Sequence, residues 1–258
     1  LLADMELPKN QFKRALQQGK PQIGMWSSLS SHIVAEILAH AGFDWVLLDT
    51  EHSPNELPMV LSQLHAMTGG TAAPVVRPAW NDMVLIKRFL DIGAQSLLLP
   101  YVQSREEAQN AVRYTRYPRE GVRGVAGATR AAGYGRTKDY LRRAPEEICV
   151  LVQVETRKAI ANLESIAEVE GIDGIFIGPN DLAADLGHLG DWRHAEVWKV
   201  MEEAARRIRR AGKAPGILVG EADGQRCLDM GYLFVAVGAD TGLLVRGTDA
   251  LAARFRKP

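Results

Sequence analysis

The chain has 258 residues, 47% of them apolar, with 31 basic and 31 acidic side chains in balance. That length is close to the roughly 250 residues of one eight-fold βα barrel and is enough for one large core. Zero net charge provides no basic field for nucleic acid or an anionic membrane surface, and no apolar stretch approaches the ~20 residues of a membrane span.

The two cysteines, Cys149 and Cys227, form no Cys-x-x-Cys pair, which reads as reduced structural thiols in a cytoplasmic protein. The first residues lack the charged-then-apolar order of a signal peptide. Met5 can serve as the natural start, leaving Leu1 to Asp4 as an extension.

In chain order, a helix over Asn10 to Gln18 precedes the first strand, Gln22–Trp26. Ser30 or Ser31 can cap the next helix, whose apolar face is Ile33, Ile37, Leu38 and Ala41 and whose stop is Gly42. The second strand, Trp45–Asp49, runs into Asp49, Glu51 and His52. Histidine is the natural general base near neutral pH and a carboxylate can orient it, although a lone histidine can also be structural. The third strand, Pro74–Arg77, ends on a guanidinium. Arg77 there suits a substrate carboxylate or a developing enolate, or else an ion pair with Asp49 or Glu51. Asn81 or Asp82 caps a helix with Leu85, Phe89 and Ile92 inward and Gly93 as its stop. Asp91 lies in the last turn, where the helix dipole disfavours a negative charge. Either it is a surface acid or something outside the helix holds it there.

The fourth strand, Ser96–Leu99, is followed by a helix and then by Tyr117 to Arg136, rich in Gly and Arg. A segment of that length without regular structure reads as a lid or a subunit contact. The fifth strand, Cys149–Glu155, and the sixth, Gly174–Gly178, flank a helical stripe of Ile160, Leu163 and Ile166. Both lead into carboxylates, Glu155 and Asp181. Two acids on adjacent strands suit Mg²⁺ or Mn²⁺ with room for water and a substrate oxygen. The alternative is structural, with Asp181 capping a turn and Glu155 pairing with Arg157. The run Ile177-Gly178-Pro179-Asn180-Asp181 exposes backbone N–H groups that can hold a carboxylate at a helix start. Val197, Val200, Ala204, Ile208 and Ala211 mark a helix ending at Gly212, with Arg206, Arg207, Arg209 and Arg210 on its solvated face. Strands Pro215–Val219 and Leu233–Gly238 and a last helix, Thr248–Phe255, complete the chain.

Eight continuously apolar strands alternating with helices predict an α/β protein, a single (β/α)8 TIM barrel over residues 1–258. All strand C-terminal ends then open on one face, which also receives Trp26 and Gln153. No lysine ends a strand, so a Schiff-base nucleophile is missing. No Walker or Rossmann glycine pattern indicates a nucleotide cofactor.

Several motifs together carry a resemblance: Asp49-Thr50-Glu51-His52-Ser53-Pro54-Asn55, Val76-Arg77-Pro78-Ala79-Trp80-Asn81-Asp82, Gly121-Val122-Arg123-Gly124, Val152-Gln153-Val154-Glu155-Thr156 and Phe176-Ile177-Gly178-Pro179-Asn180-Asp181-Leu182. From about Met5 to its end the chain resembles the 4-hydroxy-2-oxoheptanedioate aldolases, class II pyruvate aldolases of aromatic catabolism related to the 2-dehydro-3-deoxyglucarate aldolases. The resemblance implies a divalent metal, Mg²⁺, Mn²⁺ or Co²⁺, on Glu155 and Asp181, chelated by the carboxylate and keto oxygens of pyruvate. It implies Arg77 for the enolate, and His52 as base assisted by Asp49 and by Asp91 of a neighbouring subunit. Trp26 and Gln153 would line the pyruvate pocket, Gly178, Pro179 and Asn180 would bind the pyruvate carboxylate, and Leu218 would shape the aldehyde pocket. The family is hexameric, with its last helix exchanged between subunits. The chain departs from familiar members at Ala126 to Arg136 and at Gly220-Glu221, both expected on the aldehyde side, so the aldehyde is left open. Two other readings fit the residues. One is an acyl-CoA lyase whose CoA phosphates would use Arg119, Arg123, Arg130 and Arg136; the other is a non-catalytic barrel that binds metal and a keto acid.

Overall fold

The computed structural model describes residues 5–256; the extension expected ahead of Met5 lies outside the described residues. Eight strands pair in parallel and in sequence order, and the last closes on the first. They are β1 (Gln22–Ser27), β2 (Trp45–Asp49), β3 (Ala73–Arg77), β4 (Ser96–Leu99), β5 (Cys149–Val154), β6 (Gly174–Ile177), β7 (Ala214–Leu218) and β8 (Phe234–Ala239). The helices are α1 (Gln11–Gln17), α2 (His32–Ala39), α3 (Leu57–Ala66), α4 (Met83–Asp91), α5 (Arg105–Thr115), α6 (Tyr140–Glu147), α7 (Arg157–Ala161), α8 (Leu163–Ala167), α9 (Pro179–Asp185), α10 (Ala195–Arg210), α11 (Glu221–Asp229) and α12 (Asp240–Phe255). This is the expected (β/α)8 barrel with a helix ahead of its first strand.

Each strand is buried on both faces, which is why its sequence does not alternate with polar residues. Outward positions such as Val46, Leu48, Val76, Val150, Val152 and Ile175 pack under the helices. Inward positions such as Trp45, Leu47, Val75, Leu151, Phe176 and Phe234 fill the barrel. Phe12 of α1 plugs the lower end, its ring centroid 5.8 Å from Trp45 and 6.0 Å from Phe234. Gly24 makes room for this packing, since a Cβ there would overlap the Trp45 indole. The inward parity then turns polar at the C-terminal rim. Asp49 is in register with Arg77, so these two inward positions bear charge, and Gln153 adds an amide on β5 beside Phe176 of β6.

Side-chain caps start the helices where expected. Ser31 accepts from Val34 N, and Asp82 accepts from Val84 N and Leu85 N at 2.8 and 2.9 Å. Three expectations are corrected. In α2 the buried stripe is Ala35, Leu38 and Ala39, while Ile33 and Ile37 are 58% and 63% exposed. Small alanines let the backbone lie close to α3 and the barrel, as the Ala39 carbonyl against Gly70 shows, and the isoleucines rotate outward. The last helix begins at Asp240, directly after β8, because the Asp240 carboxylate accepts from Ser27 Oγ at 3.0 Å and from the backbone N–H groups of Ser28 and Leu29. That tie to the β1 loop is long-range and left no mark near residue 240.

The lid reading of the Tyr117–Arg136 segment is the third correction. The segment folds beneath the barrel rather than over its mouth: Val122 N donates to Arg113 O, Arg123 N to Arg116 O, and Arg130 Nη1 to Ile92 O at 2.8 Å, and Arg130–Gly135 makes a 3-10 turn. With Met5, α6 and the lower ends of β3–β5 it encloses a cavity of about 490 Å³. Residues 126–136 therefore face away from the substrate end of their own barrel. Cys149 and Cys227 are free and buried, and among the described residues no helix is long and apolar enough to cross a membrane.

Candidate active site

Arg77 organises the rim. Its Nε donates to Asp49 Oδ1 at 2.9 Å and its Nη2 to Asp49 Oδ2 at 2.7 Å, a two-pronged pair that fixes the guanidinium plane. Nη1 lies 2.7 Å from Glu51 Oε2 and 3.5 Å from Gln153 Oε1, and the guanidinium carbon sits 4.8 Å from the Trp26 ring centroid. Trp26 Nε1 donates to Asp49 Oδ2 at 3.2 Å. Register explains the grouping, since Asp49 and Arg77 are Cα partners on adjacent strands and both point inward. Both ion pairs offered by the sequence for Arg77, with Asp49 and with Glu51, are present. Burial alone would raise the Asp49 carboxyl. The Arg77 contacts, the Glu51 N–H and the Trp26 N–H outweigh it and hold its pKa below the usual range.

Glu155 follows the end of β5 and is 3% exposed. Tyr101 N donates to its Oε1 at 3.1 Å and Gln153 Nε2 donates to its Oε2. Gly178 closes the cradle on the β6 side, where a Cβ would overlap that carboxylate. Burial, partly countered by the Gln153 hydrogen bond and reinforced by the nearby Asp181 and Glu51 charges, pushes Glu155 up to about 7. Burial likewise raises Glu51 against the opposing pull of Arg77, with Asp49 and Asp181 adding to the rise. Asp181 stands exposed in the first turn of α9, whose cap position is Gly178, so it does not cap the helix.

A buried, hydrogen-bonded carboxylate with a raised pKa beside two further carboxylates is an oxygen-donor set that a divalent cation would discharge. Glu51 Oε2 supports this fit, being buried without an aligned hydrogen bond despite its contact with Arg77. No three of these acids bring ligand atoms within 4.8 Å of one another, so the donor set is open, which suits a hard ion that keeps water and substrate ligands.

The remaining predicted residues are distributed as follows. His52 is exposed at the mouth, with Nε2 3.9 Å from Glu51 Oε2. Its neighbouring acid is thus Glu51, while Asp49 is committed to Arg77. Gly178 and Pro179 are buried and Asn180 is exposed at the start of α9. Leu218 ends β7, half-buried against the barrel interior. Asp91 is not at this rim. It ends α4 at the lower end of the barrel, where Arg123 Nη2 donates to its Oδ1 at 2.7 Å. Arg123 is fully buried and its guanidinium lies 4.5 Å from the Tyr117 ring centroid.

One rim residue escaped the sequence reading. Tyr101 adopts a left-handed φ of 57°, which aims its N–H at Glu155, and its ring rests against Trp80 with centroids 5.6 Å apart. Its place two residues past β4 was the available signal.

Residues 22–247 match the family model described as HpcH/HpaI aldolase/citrate lyase. The chain is 56% identical over 248 residues to a 4-hydroxy-2-oxo-heptane-1,7-dioate aldolase of Klebsiella pneumoniae, covering 95% of this chain and 94% of that protein. It is 57% identical over 252 residues to a pyruvate aldolase of Rhizobium etli, covering 97% and 99%. A crystal structure of an HpcH/HpaI aldolase/citrate lyase family protein from Burkholderia cenocepacia superposes with a TM-score of 0.93 at 41% identity, over 96% of this chain and all of that one. The rim thus sits in a fold and a sequence shared along nearly the full length with named aldolases, and the chain belongs to the HpcH/HpaI aldolase/citrate lyase family.

Proposed function

We propose that the chain is a divalent-metal-dependent aldolase that reversibly cleaves 4-hydroxy-2-oxo acids, such as 4-hydroxy-2-oxoheptanedioate, to pyruvate and an aldehyde. The observation that carries this reading is the rim itself, an arginine fixed by Asp49 beside a buried carboxylate pushed up to about 7. Mg²⁺, Mn²⁺ or Co²⁺ on Glu155 and Asp181 would supply Lewis-acid charge next to the substrate keto group.

The chain's own residues do the rest. Arg77 turns its Nη1 edge, the one not used by Asp49, toward the position where negative charge develops on the C2 oxygen. Asp49 and the Trp26 ring keep that guanidinium from turning. Gln153 and the Tyr101 N–H orient Glu155. Backbone N–H groups of Asn180 and Asp181 at the start of α9 bind the pyruvate carboxylate, with Gly178 and Pro179 setting the turn and the Gly178 N–H itself spent on Val154 O at 3.2 Å. His52 takes the C4 hydroxyl proton, the C3–C4 bond breaks, its electron pair becomes the pyruvate enolate, and the aldehyde leaves past Leu218. Protonation of the enolate at C3 completes pyruvate.

We assign Asp91 to the His52 of a neighbouring subunit, because its own barrel separates it from its own rim. A homo-oligomer, a hexamer with α12 exchanged between partners, agrees with α12 burying only Asp240 of its sixteen residues while Leu243, Leu244, Val245, Leu251 and Phe255 lie exposed. The buried free thiols agree with a cytoplasmic location. The acyl-CoA alternative finds no support, since Arg123 and Arg130 are tied beneath the barrel and not at its mouth.

A retro-aldol assay against a panel of 4-hydroxy-2-oxo acids, with and without added Mg²⁺, Mn²⁺ and Co²⁺, tests the proposal. CoA-independent release of pyruvate that depends on the ion is expected. Cleavage at full rate by metal-stripped Glu155→Ala protein would rule it out.

A further inference from the structure

On the connection between α9 and α10, three side chains gather that the rim chemistry does not employ. His188 Nε2 lies 2.7 Å from Glu196 Oε2, and the rings of His188 and His194 stack with centroids 3.6 Å apart and planes 17° from parallel. One ligand atom from each of the three falls within 4.8 Å of the others. Among the described residues this is the one place where three His, Cys, Asp or Glu side chains meet that closely.

From this geometry we infer a second divalent site, made by His188, His194 and Glu196, that takes a borderline transition ion of the Zn²⁺ class. Two imidazoles and one carboxylate are a ligand set typical of zinc with an open fourth position for water. Imidazole nitrogen suits Zn²⁺, Co²⁺, Ni²⁺ and Cu²⁺ and is a poor ligand for Mg²⁺, whereas the rim offers oxygen donors. The two sites therefore sort ions by hardness.

Ligand atoms around a tetrahedral Zn²⁺ stand about 3.3 Å apart; here one pair lies at 2.7 Å and all three atoms lie within 4.8 Å of one another. Parallel rings cannot both aim in-plane lone pairs at one ion. The pair must open like a hinge, which the exposure of His194 and Glu196 permits. Binding through His194 Nε2 places its proton on Nδ1, which now accepts from Glu196 N at 3.3 Å as the cap of α10. One long hydrogen bond is thus exchanged for an ion bond. His188 lies three residues past α9, and α9 carries Asp181 in its first turn, so the ion would pin the far end of that short helix to the start of α10.

The test is calorimetric titration of the intact protein with Zn²⁺ in excess Mg²⁺, repeated on His188→Ala, His194→Ala, Glu196→Gln and the rim pair Glu155→Gln/Asp181→Asn. The expected result is one Zn²⁺ per chain that resists Mg²⁺, weakens at least tenfold in each histidine variant, and persists in the rim pair. Mg²⁺-supported cleavage should be unchanged in His188→Ala, which shows that the variant is folded. Zn²⁺ also slows backbone hydrogen exchange over 186–196 in the wild type and not in the histidine variants. No Mg²⁺-resistant Zn²⁺, or a stoichiometry the histidine variants do not alter, would overturn the inference.

Discussion

Glu155 and Arg77 illustrate opposite ways of keeping charge in a buried place. Arg77 is held by carboxylates on two sides, and Asp49 responds with a lowered pKa. Glu155 receives hydrogen bonds but no cation, and burial with its acidic neighbours raises it to about 7. A displacement of that size corresponds to about 3 kcal/mol between the two protonation states. Because the folded pKa is raised, the metal-free fold has this stability in full below the unfolded value near 4.5 and loses it as pH rises through about 7. Glu51 is raised as well and acts in the same direction. Thermal melts of metal-stripped protein should therefore fall in Tm between about pH 5 and pH 8, and Glu155→Gln should flatten that slope. Added Mg²⁺ should restore the high-pH Tm. A flat wild-type profile would show that Glu155 is not the strained group described here.

At the scale of elements, strand parity explains how so many separate segments meet. Inward positions of β2, β3 and β5 are apolar low in the barrel and polar at its top, so the hydrophobic pattern alone places Asp49, Arg77 and Gln153 together. This is also why the strands were legible: both faces are buried, the runs are continuous, and their ends are abrupt. Helix α2 was less legible because Ile33 and Ile37 follow helical spacing yet face outward, and spacing cannot say which partner a face meets. Tyr101 was missed because it contributes a backbone N–H, which has no side-chain signature. Gly178 is the element-scale counterpart, the gap through which β6 admits the Glu155 carboxylate. Gly178→Ala should leave the barrel folded at a cost of about 1–3 kcal/mol and weaken divalent binding at the rim roughly 10–100-fold. Circular dichroism and Mn²⁺ titration check the two effects separately; unchanged Mn²⁺ affinity would remove the cradle from the account.

For the whole molecule, the described fold is finished as a barrel and unfinished as a surface. Asp91 and Arg123 sit beneath the barrel, α12 buries almost nothing of itself, and the exposed isoleucines of α2 add a further apolar face. Only Asp91 was readable from one helix, by its place in the last turn; the exposed apolar faces concern what a second chain would cover. If Asp91 serves a neighbour's His52, then Asp91→Ala and His52→Ala proteins should each be inactive, and subunit exchange between them should return part of the activity. Mixtures that stay inactive, although mass measurement shows mixed oligomers, would confine each site to one chain.

Enolate chemistry at the Glu155–Arg77 rim is tested most directly by deuterium exchange into the methyl group of pyruvate, followed by NMR, which needs no choice of aldehyde. The Mg²⁺- or Mn²⁺-loaded wild type should exchange, and exchange should be lost on stripping the ion and in Glu155→Gln with the fold intact. Exchange that continues at the wild-type rate without the ion and without the Glu155 carboxylate would contradict it.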